Sequence, residues 1–174
     1  MPVVSGAEFL KAARKGGYAV GGYNTNNLEW TQAILEAAEA KKAPVLIQTS
    51  MGAAKYMGGY KVAKDMITNL VDSMNITVPV AIHLDHGDYE AALECIEVGY
   101  TSIMFDGSHL PFEENLKLAK DVVEKAHAKG ISVECEVGSI GGEEDGIIGT
   151  GELADIEECK QMVATGIDYL ACGI

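Results

Sequence analysis

The chain alternates between two patterns of apolar residues. Short runs rich in valine, isoleucine and leucine predict buried strands, and longer segments with apolar residues three or four positions apart predict amphipathic helices. The strands are predicted at 18–23, 45–48, 78–84, 101–105, 131–137 and 168–171, and the helices at 5–15, 28–42, 62–74, 89–98, 113–129 and 155–165. This regular order of strands and helices predicts a parallel sheet covered by helices.

Turn and cap signals separate these elements. Ser5 is the candidate N-cap of the first helix, with Glu8 as its capping-box partner, and Gly99 is placed to end the helix at 89–98. Glycines at 52, 58 and 59 predict a loop after the second strand, and the glycine- and acid-rich segment 138–152 predicts another. Because no linker or shift in composition divides the chain, we expect a single domain over residues 1–174.

Two α/β architectures fit right-handed crossovers of this kind, an open doubly wound sheet and a (β/α)8 barrel. The sequence lacks both a G-x-G-x-x-G motif after the first strand and a Walker A motif, which weakens the dinucleotide-binding alternative. Polar residues at the strand exits favour the barrel, because barrel strands end on one face and barrel enzymes carry their chemistry there. These residues are Asn24, Gln48 and Ser50, Asp85 and His86, Asp106 and Ser108, and Glu136.

The third strand exit carries the most suggestive chemistry. An apolar run ends in His83, Asp85 and His86, which offers a carboxylate beside an imidazole that could bind zinc. His83 and Asp85 lie two residues apart and share a face, whereas His86 points elsewhere unless the end of the strand twists. A packed or surface histidine is the alternative for both imidazoles.

Further acidic residues could complete such a site. Asp106 and Glu136 could bind a second cation or orient the ligands of the first, and Glu134 shares the face of Glu136. Solvated loop acids are the alternative. The segment 138–146 could be a lid whose Glu143 or Glu144 acts as a base, or a plain surface loop.

Composition excludes several classes of function. A net charge of −13 and a pI near 4.6 argue against nucleic acids and anionic membranes as partners. Four cysteines without C-x-x-C spacing suggest reduced thiols, and no signal peptide or membrane-length apolar run is apparent, so we expect a cytoplasmic protein. Because no lysine falls inside a predicted strand, carbonyl activation by a metal is favoured over a Schiff base.

Five motifs together resemble the class II fructose-1,6-bisphosphate aldolase family, and the resemblance runs in order through essentially the whole chain. They are YAVGGYN (18–24), APVLIQTS (43–50), AIHLDHG (81–87), SIMFDGSH (102–109) and VECEVGSIGGEED (133–145). The resemblance implies a zinc-dependent (β/α)8 barrel, dimeric or tetrameric when complete. The implied reaction is reversible cleavage of fructose 1,6-bisphosphate into dihydroxyacetone phosphate and glyceraldehyde 3-phosphate.

The resemblance also implies roles for individual residues. Asp85 would be the acid/base at the C4 hydroxyl, and Glu144 would move the proton of dihydroxyacetone phosphate. His86 would bind the catalytic zinc, Asp106 and Glu136 a second cation, and Asn24 and Ser50 the substrate.

The family's other two zinc histidines, its phosphate loops and its monovalent-cation site would lie beyond Ile174. We therefore expect the chain to supply about the first five βα units and the start of strand six. Two alternatives stay open, a tagatose-1,6-bisphosphate aldolase and an inactive half-barrel that only associates with a partner. We expect the isolated chain to be inactive, because one zinc histidine does not make the usual three-ligand site.

Overall fold

The computed structural model describes residues 2–139, 142–144, 147–149 and 151–174, with only the backbone course given between 142 and 149. The strands are β1 (Gly21–Asn24), β2 (Val45–Ser50), β3 (Val80–Gly87), β4 (Ser102–Phe105), β5 (Ser132–Val137), β6 (Gly142–Glu144), β7 (Ile147–Gly149) and β8 (Tyr169–Cys172). The helices are α1 (Ala7–Gly16), α2 (Leu28–Lys41), α3 (Met51–Met57), α4 (Tyr60–Ser73), α5 (Tyr89–Val98), α6 (Phe112–His127) and α7 (Ile156–Val163). Among these helices, none combines the length and apolarity needed to cross a membrane.

Six parallel strands form one sheet in the order β1-β2-β3-β4-β5-β8, curled into a half-barrel. Their register aligns the strand exits, with Asn24 paired to Gln48 and Ser50 paired to Asp85. Consecutive strands are neighbours throughout, as in a barrel, and the small antiparallel hairpin β6–β7 follows β5.

The two faces of the sheet are covered differently, and this distinguishes a barrel from a doubly wound sheet. Alternate strand residues such as Ile47, Ile82 and Ile103 pack in one large core with residues of α2, α4, α5, α6 and α7. On the opposite, concave face the described residues form a small apolar cluster, in which Phe9 of α1 packs against Leu46 and Ala81. Since both faces of a doubly wound sheet would be covered by crossover helices, the predicted barrel architecture is confirmed.

Most predicted elements are present, but three local expectations are wrong. Gly6, not Ser5, is the N-cap of α1, and its helix begins without a side-chain cap. The predicted glycine loop contains α3, because Ser50 accepts a hydrogen bond from the Ala53 amide and starts a helix there. The segment 138–152 includes the β6–β7 hairpin. Gly99, with φ of 89°, ends α5 as predicted.

A carboxylate on α2 anchors the chain that enters β3. Glu39 accepts hydrogen bonds from the Thr77 amide at 2.7 Å, the Thr77 hydroxyl at 2.9 Å and the Val78 amide at 3.3 Å, and it pairs with Lys42. The hydrogen bond from Lys42, followed by those from Thr77, lowers the pKa of Glu39 to about 2. The ionised carboxylate is therefore part of the folded structure.

We predict that Glu39→Gln lowers the Tm at neutral pH. The folded-state pKa lies below the ordinary value of 4.5, so the stabilisation is fully present above pH 4.5 and is lost as the pH falls towards 2. The difference in Tm between wild type and variant should accordingly shrink over this range, measured by circular dichroism. Glu36→Gln, on an exposed position of the same helix, is the matched control. An undiminished difference at low pH would contradict the prediction.

Candidate metal centre

A β-bulge at the end of β3 turns two consecutive side chains towards the concave face. The pairing of β3 with β4 shifts register between Leu84 and Gly87, and His86 has a φ of 46°. A Cβ atom on Gly87 would lie 2.2 Å from the Leu84 side chain, so residues 84 and 87 face the same side. One extra residue in the strand thus leaves both Asp85 and His86 on the other side. The left-handed backbone conformation of His86 is uncommon for a residue other than glycine. It provides the twist at the end of the strand that His86 needs to share the face of Asp85.

His86, Asp106 and Glu136 come from three adjacent strand exits and converge. His86 Nδ1 lies 2.7 Å from Asp106 Oδ2 and 3.6 Å from Glu136 Oε2, and potential ligand atoms of all three lie within 4.8 Å of one another. Glu136 is 1% exposed. Two carboxylates this close, one of them buried, repel each other unless a positive charge lies between them.

The donor set fits a divalent cation. Zinc binds imidazole nitrogen and carboxylate oxygen at about 2.0–2.2 Å, which places tetrahedral ligands roughly 3.3 Å apart. The two separations around His86 Nδ1 bracket that value. One imidazole and two carboxylates at these separations could therefore hold a divalent cation between them or at two neighbouring positions.

Asp106 is held in its ionised form. Burial raises the pKa of this carboxyl, but hydrogen bonds from His86 and Ser108 outweigh burial and lower the pKa to about 2. The Ser108 amide donates to Asp106 Oδ1 at 2.9 Å, and the Asp106 amide donates to the Gly87 carbonyl at 2.9 Å. The hydrogen bond to Gly87 connects the exit of β4 to the bulge of β3.

Asp85 lies beside the cluster, and two amide side chains fix its carboxylate. Asn24 Nδ2 donates to Asp85 Oδ2 at 2.6 Å, and Gln48 Nε2 donates to Asp85 Oδ1 at 3.2 Å. Gly22 makes room for Gln48, since a Cβ atom there would lie 2.3 Å from Gln48 Oε1. Each oxygen of Asp85 is thereby oriented by a different strand.

A groove of about 240 Å³ opens beside Asn24 and Ser50, with Trp30 and Tyr56 also in its lining. It lies at the exits of β1 and β2, and one of its lining residues, Asn24, donates a hydrogen bond to Asp85. The two predicted substrate contacts therefore line one opening.

A second polar layer lies deeper on the concave face. His83 Nδ1 is 2.7 Å from the Ser102 hydroxyl, and His83 Nε2 is 3.6 Å from Glu134 Oε2. Burial lowers the pKa of His83, so its imidazole is neutral at pH 7, and burial raises the pKa of Glu134 to about 7. His83 is thus an inward-facing buried residue, as its shared face with Asp85 predicted.

The structure brings together six of the seven predicted site residues. Asn24 contacts Asp85, Ser50 lines the adjoining groove, and His86, Asp106 and Glu136 form the cluster. Glu144 lies in β6, but its side chain is outside the described part of the structure.

Two residues important to this geometry were missed as site residues. Gln48 was recognised only as a strand-exit residue. Asn115, on α6, donates a hydrogen bond to the Glu136 carbonyl, although its sequence position suggests an ordinary polar residue in a helix.

Comparisons with known proteins agree with this geometry. Residues 4–174 match the family described as "Fructose-bisphosphate aldolase class-II". The chain is 82% identical over its full length to a fructose-bisphosphate aldolase of Streptococcus pneumoniae, of which it spans 59%. It is 55% identical to a fructose-bisphosphate aldolase of Geobacillus stearothermophilus, over 98% of the chain and 61% of that relative.

A solved structure supports the same conclusion. The YdjI aldolase of Escherichia coli K12 superposes with a TM-score of 0.84 at 29% identity, over 99% of this chain and 62% of that one. The resemblance carried by the five sequence motifs is confirmed. The chain belongs to the class II fructose-bisphosphate aldolase family.

Proposed function

We propose that this chain forms part of the active site of an enzyme that reversibly cleaves fructose 1,6-bisphosphate into dihydroxyacetone phosphate and glyceraldehyde 3-phosphate. The observation that carries the proposal is the convergence of His86, Asp106 and Glu136 beside Asp85, in a chain of the aldolase family. A phosphorylated sugar is the proposed substrate.

His86 is the proposed ligand of a catalytic Zn²⁺, and Asp106 and Glu136 are the proposed ligands of a second divalent position. A bound cation would supply Lewis-acid stabilisation of the enediolate oxygens that develop when the carbon–carbon bond breaks. The chain's own contribution is to hold one imidazole and two carboxylates at adjacent strand exits. Binding of a monovalent cation is expected only from the family resemblance.

Asp85 is the proposed acid/base at the C4 hydroxyl. In the cleavage direction its carboxylate takes the hydroxyl proton as the C3–C4 bond breaks, and in the condensation direction it returns that proton. Asn24 and Gln48 orient the carboxylate for both steps. Asn24 and Ser50 are proposed to contact substrate in the groove, and Glu144 to move the proton of dihydroxyacetone phosphate.

A tagatose-1,6-bisphosphate aldolase is the second candidate, because the two sugars differ in configuration at C4, where Asp85 would act. Comparison of the cleavage rates of both bisphosphates by a full-length enzyme containing this segment distinguishes the two. A homo-oligomer and a cytoplasmic location are further proposals, the latter supported by four free cysteines and an acidic composition.

The first prediction from this proposal concerns cation binding by the chain itself. Titration with Co²⁺, a spectroscopic substitute for zinc, should give visible absorption bands. His86→Ala and Asp106→Asn should each weaken binding by at least about tenfold, the loss that changes in residues merely orienting the ligands already cause, because each removes a proposed ligand itself. His127→Ala is the control, since His127 pairs with Asp168 outside the cluster. Equal binding by all variants would contradict the proposed metal centre.

The second prediction separates catalysis from metal binding. In a full-length enzyme containing this segment, Asp85→Asn should lower kcat by at least about 100-fold, since it removes the general acid/base. Zinc content, measured by atomic absorption, should be retained. Asp72→Asn, at an exposed position on α4, is the matched control. Parallel loss of zinc and activity would make Asp85 a structural residue.

The third prediction concerns the chain alone. Within its described residues the cluster contains one imidazole, and none of the other three histidines, His83, His109 and His127, belongs to it. The 174-residue chain should therefore show no measurable cleavage of fructose 1,6-bisphosphate with added zinc, in an assay calibrated with the full-length pneumococcal relative. EDTA-sensitive cleavage by mass-verified chain would contradict this.

A further inference from the structure

Asn115, in the first turn of α6, contacts both carboxylate-bearing strand exits from the outer side of the sheet. Its side chain is 2% exposed, and Nδ2 donates to the Glu136 carbonyl at 3.1 Å. Its amide also packs against the loop that follows Asp106, because a Cβ atom on Gly107 would lie 2.5 Å from Asn115 Oδ1 and 2.8 Å from Asn115 Cγ. One side chain thus lies against the strand exits of Asp106 and Glu136.

The register of the sheet leaves the residues that carry the two carboxylates just beyond the paired part of β4 and β5. Pairing between β4 and β5 ends at Phe105 and Cys135, one residue before Asp106 and Glu136. The paired strands therefore do not by themselves fix the distance between the two residues that carry the carboxylates. On the opposite side of β4, the Asp106 amide donates to the Gly87 carbonyl. This hydrogen bond joins the exit of β4 to β3.

The chemistry of Asn115 suits this position better than that of an apolar residue. A buried backbone carbonyl needs a donor, and the amide of Asn115 supplies it from a helix that is itself held by the main core. Among the described residues, Asn115 Oδ1 has no hydrogen-bond partner. A buried amide that leaves one acceptor unsatisfied carries an energetic cost, which suggests that its location is under a constraint other than stability alone.

We propose that Asn115 is a positioning residue of the metal centre, which sets the spacing between Asp106 and Glu136 by joining the exits of β4 and β5. The inference rests on the proposed function of this cluster as a cation site. Gly107 contributes to this positioning, because only a residue without a side chain lets the loop after Asp106 approach the side-chain amide of Asn115 so closely.

The test is Co²⁺ titration of the 174-residue chain, followed by absorption spectroscopy, together with the Tm of each variant without metal. Asn115→Leu keeps a similar volume but removes the donor, and it should weaken Co²⁺ binding about 10- to 100-fold, as outer-shell substitutions do. Gly107→Ala pushes the amide away and should act in the same direction. At saturating Co²⁺ both variants should show an altered absorption spectrum, because the carboxylates then approach the ion differently.

Two controls separate positioning from loss of stability. Leu35→Ala removes a fully buried side chain from α2, outside the cluster, and should lower the Tm without changing affinity or spectrum. Asn69→Ala removes an exposed asparagine from α4 and should leave the Tm, the Co²⁺ affinity and the absorption spectrum unchanged.

The outcomes are distinguishable. If the unaltered chain binds Co²⁺ and Asn115→Leu binds it within twofold with the same spectrum, the positioning role is overturned and the metal centre stands. If the unaltered chain binds no Co²⁺, both the positioning role of Asn115 and the proposed metal centre are overturned. If Asn115→Leu fails to fold, Gly107→Ala decides by the same two readouts, because its donor amide is intact.

Discussion

One extra residue in β3 determines which side chains can meet on the concave face. In a regular strand His86 would follow Asp85 to the opposite side and enter the apolar layer beneath the helices, where an imidazole without partners is costly. The register shift between Leu84 and Gly87 avoids this and places both side chains inward. Gly87 is part of the same constraint, because the outward position it occupies is already filled by Leu84. The cluster with Asp106 and Glu136 exists only with this bulge in place.

Electrostatics explains why such a cluster suits a cation. Asp106, Glu136, Asp85 and Glu134 all lie on the concave face, where burial penalises every charge. The protein reduces this cost differently at each position. Hydrogen bonds offset burial at Asp106, two amides engage Asp85, and burial raises the pKa of Glu134 so that it is partly protonated near neutral pH. His83, neutral because burial lowers its pKa, supplies no compensating charge. A divalent ion would relieve the repulsion that remains between Asp106 and Glu136.

Periodic features of the sequence were sufficient to predict the strand–helix order, the parallel sheet and the ring of polar strand exits, because each is repeated along the chain. Features that depend on one irregular position were not. The face of His86 could not be predicted because a bulge reverses the alternation on which the prediction rested. The α3 helix was missed because the glycines after Ser50 masked a good N-cap. The contact of Asn115 with Glu136 joins residues 21 positions apart, and nothing local to α6 signals it.

The position of each site residue within the sheet suggests how far its geometry depends on other parts of an enzyme. His86 and Glu136 lie in β3 and β5, and Asp106 directly follows β4; each of these three strands is paired on both sides within the described sheet. Besides the strand pairs, the Asp106–Gly87 hydrogen bond and the Asn115 side chain join these exits, and all of these contacts lie within this chain, which therefore determines the spacing of the three residues. Asn24 comes from β1, which among the described strands pairs only with β2. A strand paired on one side is less constrained than one paired on both. The hydrogen bond from Asn24 to Asp85 and the shape of the groove lined by Asn24 are therefore the features most sensitive to any further strand that pairs with β1. The cation ligands and the substrate contacts of the proposed active site thus differ in how much of their geometry this chain can determine.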